Sequence, residues 1–252
     1  MKSVAPTRAM IMAAGLGTRM RPLTNDRPKP MVKVAGKPLI DHAIDRLVAA
    51  GVTTIAVNVH YRAELLKEHL RRRSDGVKIH ISEETDELLG TGGGVVKAMQ
   101  YFEEEPFFIH NSDSIWIEGF GHALDRMISR WNPQEMDGLL LMASLVSTIG
   151  YEGAGDFMMD SDGRLARLPE ARVSPFAFPG VQIVHPRLFA NPPKGAFSTN
   201  IVWDRAIEMG RLFGIRLDGT WMHIGTAEAL AESEAFLADV LPHAPPSSVE
   251  MP

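Results

Sequence analysis

The 252-residue sequence contains no cysteine, which excludes disulfide bonds and thiolate metal sites. No apolar run approaches the roughly 20 residues that span a membrane, and residues 1–8 lack the apolar core of a signal peptide. Basic residues are outnumbered, 26 against 31 acidic ones, which argues against a nucleic-acid-binding protein. These absences predict a soluble, cytoplasmic protein that binds neither nucleic acid nor membranes.

Two common phosphate-binding signatures are also missing. The run G-x-x-x-x-G-K-[ST] of the common ATPases does not occur. The dinucleotide fingerprint G-x-G-x-x-G starts at Gly15 and Gly17, but Met20 stands where the third glycine is needed. A dinucleotide-dependent oxidoreductase therefore stays only as a disfavoured alternative.

The order of apolar runs predicts the fold. Up to residue 147, strand-like runs alternate with helical patterns, which is typical of a parallel sheet with helices on both faces. We therefore predict an α/β protein with a Rossmann-like, three-layer α/β/α architecture and a mostly parallel, mixed central sheet. The predicted strands include residues 53–59, 77–82, 106–110 and 138–147, and the predicted helices include residues 39–50, 63–72, 199–209 and 227–240.

The most informative stretch begins with an apolar, uncharged run at residues 10–14, which predicts a buried parallel strand. Gly15 and Gly17 follow and can bend the backbone so that amide N–H groups face an anion. Thr18 and Arg19 add a hydroxyl and a guanidinium group, which matches phosphate geometry. The pattern predicts a site for a phosphorylated ligand.

Three further features fit such a site. Lys29 lies between two prolines, which hold this compact positive charge on a stiff backbone. The run T-G-G-G at residues 91–94 opens a helix and permits close approach of a flat or anionic ligand. Asp113 follows the strand at 106–110, and carboxyl ends of strands are where ligands collect in open α/β sheets. Together they predict a nucleoside triphosphate as ligand, with a carboxylate at the same edge of the sheet.

The strings G-L-G-T-R-M-R-P-L-T at 15–24 and R-P-K-P at 27–30 resemble the signature of the sugar-phosphate nucleotidyltransferases, which make nucleoside diphosphate sugars. The resemblance implies the nucleotide-diphospho-sugar transferase fold, a nucleoside triphosphate and a sugar 1-phosphate as substrates, and pyrophosphate as product. It implies Arg19, Lys29 and Asp113 as catalytic residues, with Asp113 as the ligand of a Mg²⁺ ion. The nucleotide contacts that it implies are Ala13, Ala14, Gly15, Gly17, Thr18, Arg19, Thr91, Gly92 and Gly93.

One departure from the family pattern concerns the metal. The block W-M-H-I-G-T at 221–226 resembles the family's W-x-D-x-G-T, whose aspartate completes a Mg²⁺ site, but this chain has His223 there. Imidazole suits Mg²⁺ less well than a carboxylate does. Four interpretations stay open: His223 joins Asp113 as ligand to a metal such as Mn²⁺, it donates to phosphate, it leaves Asp113 alone with water, or it is structural. A nucleotide-sensing protein without turnover is the corresponding alternative function.

The resemblance also divides the chain. It implies one domain over residues 8–241, with a nucleotide-binding half at 8–147 and a sugar-phosphate-binding half at 148–241. Asp156 and Gly180 occupy positions at which the family contacts the sugar phosphate. Residues 242–252 have the composition of a flexible tail. The base stays open, because Gly90 replaces a glutamate that many relatives carry. The sugar and the choice between monomer and dimer also stay open.

Overall fold

The computed structural model describes residues 5–73 and 76–240. Its strands are β1 (Arg8–Met12), β2 (Lys33–Val34), β3 (Lys37–Pro38), β4 (Thr54–Val59), β5 (Lys78–Glu83), β6 (Phe107–Asn111), β7 (Ser114–Glu118), β8 (Gly138–Ser144), β9 (Thr148–Ile149), β10 (Phe157–Met159), β11 (Leu165–Arg167), β12 (Phe176–Ala177), β13 (Val181–Val184), β14 (Leu212–Arg216) and β15 (Gly219–His223). Its helices are α1 (Leu39–Ala49), α2 (Ala63–Arg71), α3 (Gly90–Ala98), α4 (Ala123–Arg130), α5 (Asn200–Glu208) and α6 (Ala227–Val240). The predicted tail at 242–252 lies outside the described residues.

An eight-stranded mixed sheet forms the centre of the molecule, in the order β5-β4-β1-β6-β13-β8, with β12 and β14 both paired to β8. The strands β1, β4, β5, β6, β8 and β14 run in one direction, whereas β12 and β13 run against them. The predicted mostly parallel, mixed sheet is confirmed. Because β1, β4, β5 and β6 are parallel, their carboxyl ends meet at one edge of the sheet.

Helices cover both faces of this sheet, as predicted. The side chains of α1, α2 and α4 pack on one face with Ile11 and Phe108, and those of α3 and α5 pack on the other with Met10 and Phe107. This alternation along β1 and β6 reflects the two-residue period of a strand. Burying each such side chain contributes about 1.5–3 kcal/mol to stability, so the two cores fix the three layers.

A smaller sheet was not predicted. β15 pairs antiparallel with β7 and parallel with β9, and this three-stranded sheet packs with α6 around a third apolar cluster. The predicted strand at 138–147 is wrong in its last three residues, which form a 3-10 turn. The Thr148 hydroxyl donates to the Ser144 carbonyl oxygen at 2.7 Å, a local bond that competes with strand pairing.

None of the helices in the described ranges combines the length and the apolar character that a membrane span requires.

The fully buried His110 on β6 gives the fold a specific pH dependence. Its Nδ1 lies 2.8 Å from the Asn111 carbonyl oxygen, and burial lowers the pKa of the imidazole to about 4. His110 therefore takes up a proton near pH 6.5 in the unfolded chain but only near pH 4 in the folded chain. The contribution of the neutral imidazole to the free energy of unfolding is complete above pH 6.5 and is lost as the pH falls towards 4. Between pH 7 and pH 5 the loss amounts to about 2 kcal/mol.

Replacing His110 with phenylalanine is expected to reduce this pH dependence by that amount. The free energy of unfolding should be measured in urea at both pH values for the wild type and the variant. The quantity to compare is the change in the free energy of unfolding between the two pH values, because the substitution also changes packing and removes one hydrogen bond at both. An unchanged difference in His110→Phe would contradict the assignment.

Candidate functional site

A cavity of about 440 Å³ opens at the carboxyl ends of β1, β4, β5 and β6. This is the edge at which parallel α/β sheets bind ligands. Most residues predicted to bind nucleotide or to act in catalysis line this cavity, namely Ala13, Ala14, Gly15, Gly17, Thr18, Arg19, Lys29, Thr91 and Asp113. The structure therefore brings together segments that are up to 100 residues apart in sequence.

The glycine loop forms one wall of the cavity. Gly17 has a φ of +66°, and a Cβ atom added there would lie 3.2 Å from the side chains of Lys29 and Thr24. The Thr24 hydroxyl donates to the Gly17 carbonyl oxygen at 2.8 Å and holds the loop in this shape. Gly17 is thus required by both the left-handed backbone and the close approach of Lys29. Arg19 is exposed and has no hydrogen-bond or ionic partner in the described ranges, so its guanidinium group is free to bind an anion.

Lys29 and Asp113 form an ion pair beside this loop. The Lys29 side chain is 13% exposed and that of Asp113 is 25% exposed. Burial raises the pKa of the Asp113 carboxyl, but the charge and the hydrogen bond of Lys29 outweigh this effect and lower the pKa below its ordinary value. Asp113 is therefore a carboxylate at neutral pH, held next to a positive charge.

The turn that carries Asp113 is fixed from both sides. It joins β6 to β7, and the N–H groups of Asn111 and Ser112 donate to the carbonyl oxygens of Gly180 and Met12 at 2.8 and 3.1 Å. On the other side, Ser114 lies opposite His223 in the pairing of β7 with β15. The carboxylate is thereby held at the edge of both sheets.

His223 is brought to the same place by this pairing. Burial lowers the pKa of its imidazole, and Lys29 and Arg19 lower it further, although Asp113 opposes them. A Cβ atom at Gly225 would lie 2.6 Å from His223 Nε2, so the glycine after the histidine leaves room for the ring. The imidazole is neutral at neutral pH and can donate or accept a hydrogen bond.

Packing against a distant loop explains why glycines are needed at the start of α3, and the sequence did not reveal this contact. A Cβ atom on Gly92 would lie 2.2 Å from the Phe197 ring, and one on Gly93 would lie 3.0 Å from the Gly195 carbonyl oxygen. The Gly92 N–H donates to the Phe197 carbonyl oxygen at 2.8 Å. Gly92 and Gly93 are buried and lie outside the cavity lining, so their contact with a nucleotide stays a prediction, whereas Thr91 does line the cavity.

The two predicted sugar-phosphate contacts also lie outside this lining. Asp156 is exposed, and its carboxylate accepts a hydrogen bond from the Phe178 N–H at 2.7 Å. Gly180 is buried with a φ of +86°, and a Cβ atom there would lie 2.3 Å from the Asn111 side chain, which does line the cavity. A second cavity of about 450 Å³ shares Arg19 with the first and also contains Tyr151 and His223.

The donor set at the site can be compared with the needs of a divalent cation. No cluster of three or more histidine, aspartate or glutamate side chains suited to a metal occurs in residues 5–73 and 76–240. Two carboxylates line the cavity, but both oxygens of Glu84 already accept hydrogen bonds from Asn58 and the Leu89 N–H. Asp113 therefore offers the hard carboxylate oxygen, with the His223 imidazole nearby. This fits Mg²⁺, which commonly takes one or two protein carboxylates and completes its shell with phosphate oxygens and water.

Asn58 and Glu84 are among the cavity residues that the sequence did not identify. Asn58 and Glu84 are 1% and 2% exposed and hydrogen bond to each other, with Asn58 Nδ2 2.7 Å from Glu84 Oε1. Their positions at the carboxyl ends of β4 and β5 are the signal that could have identified them, because polar side chains at such ends face ligand sites.

Known proteins resemble this chain in sequence and in fold. The sequence model described as nucleotidyl transferase matches residues 8–170. The N-acetylmuramate alpha-1-phosphate uridylyltransferase of Caulobacter vibrioides is 46% identical over 240 residues, which are 94% of this chain and 99% of the relative. The mannose-1-phosphate guanylyltransferase catalytic subunit beta of Danio rerio is 33% identical and covers 86% of this chain and 61% of that relative.

A solved structure of UDP-glucose pyrophosphorylase complexed with UDP-glucose superimposes with a TM-score of 0.74. It covers 93% of this chain and 99% of its own, at 19% identity. At that identity the likeness concerns the fold.

Proposed function

This chain belongs to the nucleotidyl transferase family, and we propose that it transfers a uridylyl group from UTP to N-acetylmuramate 1-phosphate. The chain is a sugar-1-phosphate nucleotidyltransferase, which the family and the relatives have in common. The choice of UTP and N-acetylmuramate 1-phosphate rests on the Caulobacter relative, which matches nearly the whole length of both chains. The products are then UDP-N-acetylmuramate and pyrophosphate.

In the proposed reaction an oxygen of the sugar 1-phosphate attacks the α-phosphorus of UTP in line. A bond forms between these two atoms, and the bond from the α-phosphorus to the oxygen that bridges to the β-phosphate breaks. Pyrophosphate leaves with the bonding electron pair. Such a displacement needs positioning and charge stabilisation rather than a covalent intermediate on the protein.

The observation that carries the proposal is the Lys29–Asp113 ion pair beside the glycine loop. We propose that the amides of residues 15–17 and the free guanidinium group of Arg19 bind the β- and γ-phosphates. Lys29 then stabilises the negative charge that develops on the transferring phosphoryl group. The loop at residues 15–17, Arg19 and Lys29 all line the same cavity, which supports these roles.

We propose Mg²⁺ as the cofactor, with Asp113 as its protein ligand and Mn²⁺ as the alternative if His223 also binds. When bound, the ion neutralises phosphate charge and polarises the phosphoryl group that is transferred. The Lys29 ammonium keeps the Asp113 carboxylate ionised, which is the form that binds a cation.

The remaining parts of the proposal concern the second substrate and the setting. We assign nucleotide binding to residues 8–147 and sugar-phosphate binding to residues 148–241, with Asp156 and Gly180 as sugar-phosphate contacts. A nucleoside triphosphate substrate favours a cytoplasmic location, and an N-acetylmuramate phosphate favours a role in peptidoglycan recycling. Residues of a single chain line the cavity, so the protein can act either as a monomer or as a dimer.

The test is pyrophosphate release in a grid of substrates with Mg²⁺. UTP, GTP, dTTP and CTP are each combined with the 1-phosphates of N-acetylmuramate, N-acetylglucosamine, glucose and mannose. We expect the highest kcat/KM for UTP with N-acetylmuramate 1-phosphate. The highest value for GTP with mannose 1-phosphate would instead favour the second candidate, mannose-1-phosphate guanylyltransferase, which the Danio rerio relative supports.

A blank grid in both Mg²⁺ and Mn²⁺ would overturn the proposed catalysis. Thermal unfolding with each nucleotide then separates two cases, because a ligand that binds only the folded state raises Tm. A rise in Tm without turnover would favour the nucleotide-sensing alternative, for which His223 in place of a carboxylate is the motivating observation.

A further inference from the structure

We infer that Asn58 and Glu84 are positioning residues that tie the glycine loop to the first turn of α3 and so fix the distance between the two walls of the cavity. The inference rests on the proposed function, because the bound nucleotide is the ligand that these walls would hold. Neither residue belongs to the motifs that identified the site.

The contacts form one continuous chain of hydrogen bonds. Asn58 Oδ1 accepts from the Ala13 N–H at 2.6 Å, and Asn58 Nδ2 donates to Glu84 Oε1 at 2.7 Å. Glu84 Oε2 accepts from the Leu89 N–H at 3.0 Å. Ala13 is the first residue after β1, and Leu89 immediately precedes α3. The chain of bonds therefore crosses three neighbouring strands and ends on both walls.

Each of these hydrogen bonds determines which atom donates and which accepts in the next one. Asn58 must present its oxygen to Ala13, since a backbone N–H can only donate, and this directs its NH₂ group to Glu84. A carboxylate accepts at both oxygens, so Glu84 can receive Asn58 and Leu89 together. Of the four combinations of an amide and an ionised carboxylate at the two positions, only an amide followed by a carboxylate, or the reverse, satisfies all three bonds.

The surroundings leave this pair little freedom. Both side chains are buried, and a Cβ atom on Gly94 would lie 2.8 Å from Glu84 Oε1 and 3.1 Å from Asn58 Nδ2. The backbone of α3 thus rests directly on the pair. In the described part of the chain no cationic side chain pairs with Glu84, so neutral donors alone hold this carboxylate. Burying a carboxylate without a cationic partner costs free energy, so the loss of one hydrogen-bond donor should lower the stability of this region.

This pattern of donors and acceptors provides a sharp test with three variants. Asn58→Asp places two carboxylates face to face, which cannot hydrogen bond unless one of them takes up a proton. Glu84→Gln places an NH₂ group against either the Asn58 NH₂ group or the Leu89 N–H, so one bond is lost in both orientations. The double variant N58D/E84Q restores every bond: the carboxylate introduced at position 58 accepts from the Ala13 N–H and from the amide introduced at position 84, and the oxygen of that amide accepts from the Leu89 N–H. Its net charge equals that of the wild type. The dissociation constant of UTP and the Tm are measured for each protein.

We expect each single variant to raise the Kd of UTP about tenfold, and the double variant to return it to within about threefold of the wild type. The KM of the sugar 1-phosphate should change much less. Gln182→Leu is the matched control, since Gln182 is a buried amide that accepts from Trp203 Nε1 at 3.0 Å but lies outside the cavity lining. This control should lower Tm without changing the Kd of UTP.

Single variants that lower Tm but bind UTP like the wild type would overturn the inference, and so would a double variant that recovers Tm but not affinity. If the wild type itself binds no UTP, the proposed function fails instead. The two failures are therefore distinguishable in the same experiment.

Discussion

Replacing Lys29 with alanine is expected to reduce kcat by about 10²–10³-fold, which is the usual cost of removing one preorganised group that stabilises charge in a transition state. Lys29 is held by its flanking prolines and by its contact with Asp113, so its ammonium group needs no reorganisation during the reaction. The KM for UTP should change less than kcat, because Arg19 and the loop amides remain in place.

The fold should survive this change. The ion pair lies on the wall of an open cavity, and water can solvate the Asp113 carboxylate that remains, so the free energy of unfolding should fall by no more than about 1–2 kcal/mol. Pyrophosphate release and urea unfolding measure the two effects separately. Lys33→Ala, on the exposed face of β2, is the matched control and should leave both unchanged. Near-normal turnover of Lys29→Ala would rule out the catalytic role of Lys29.

The second large effect is expected from Asp113→Asn, which keeps the shape of the side chain and removes its charge. Turnover should fall by about 10²–10³-fold, because the neutral amide binds a divalent cation weakly and leaves Lys29 without its counter-charge. The remaining activity should require more Mg²⁺ for half-saturation. A metal titration with Mg²⁺ and Mn²⁺ measures this requirement, and Asp162→Asn, in an exposed turn, serves as control.

The two substitutions should not be additive, since their side chains are in direct contact. If Lys29 and Asp113 act as one unit, the double variant should lose little more turnover than the poorer single variant. A fully additive loss would show that the two groups act independently. An unchanged metal requirement in Asp113→Asn would exclude this residue as a metal ligand.

Features encoded within a few residues were predicted well from the sequence. The apolar spacing of Ile40, Ile44 and Leu47 predicted α1, and the alternation of strands and helices predicted the three layers. The glycine loop was identified in the same way, because the residues that shape it, from Ala13 to Lys29, are close together in the chain. Its nearness to Asp113 followed from the rule that parallel strands share a ligand-binding edge.

Features that depend on distant segments were missed or assigned another cause. The pairing of β7 with β15 joins residues about 100 positions apart, and no local pattern specifies that register. The glycines of α3 suggested close approach of a ligand, whereas Phe197 from a distant loop occupies the space beside Gly92. The bond between Asn58 and Glu84 likewise requires knowing that β4 and β5 are neighbours.

The attachment of the first turn of α3 to the loop at 195–199 has a consequence for biosynthesis. The Thr199 N–H donates to the Thr91 hydroxyl oxygen at 2.9 Å, and the two residues are 108 positions apart. The ribosome therefore releases the glycine loop, Lys29 and Asp113 long before the loop that secures the opposite wall. A nascent chain that ends before residue 199 lacks this hydrogen bond, so we expect it to bind nucleotide more weakly than the 252-residue chain does.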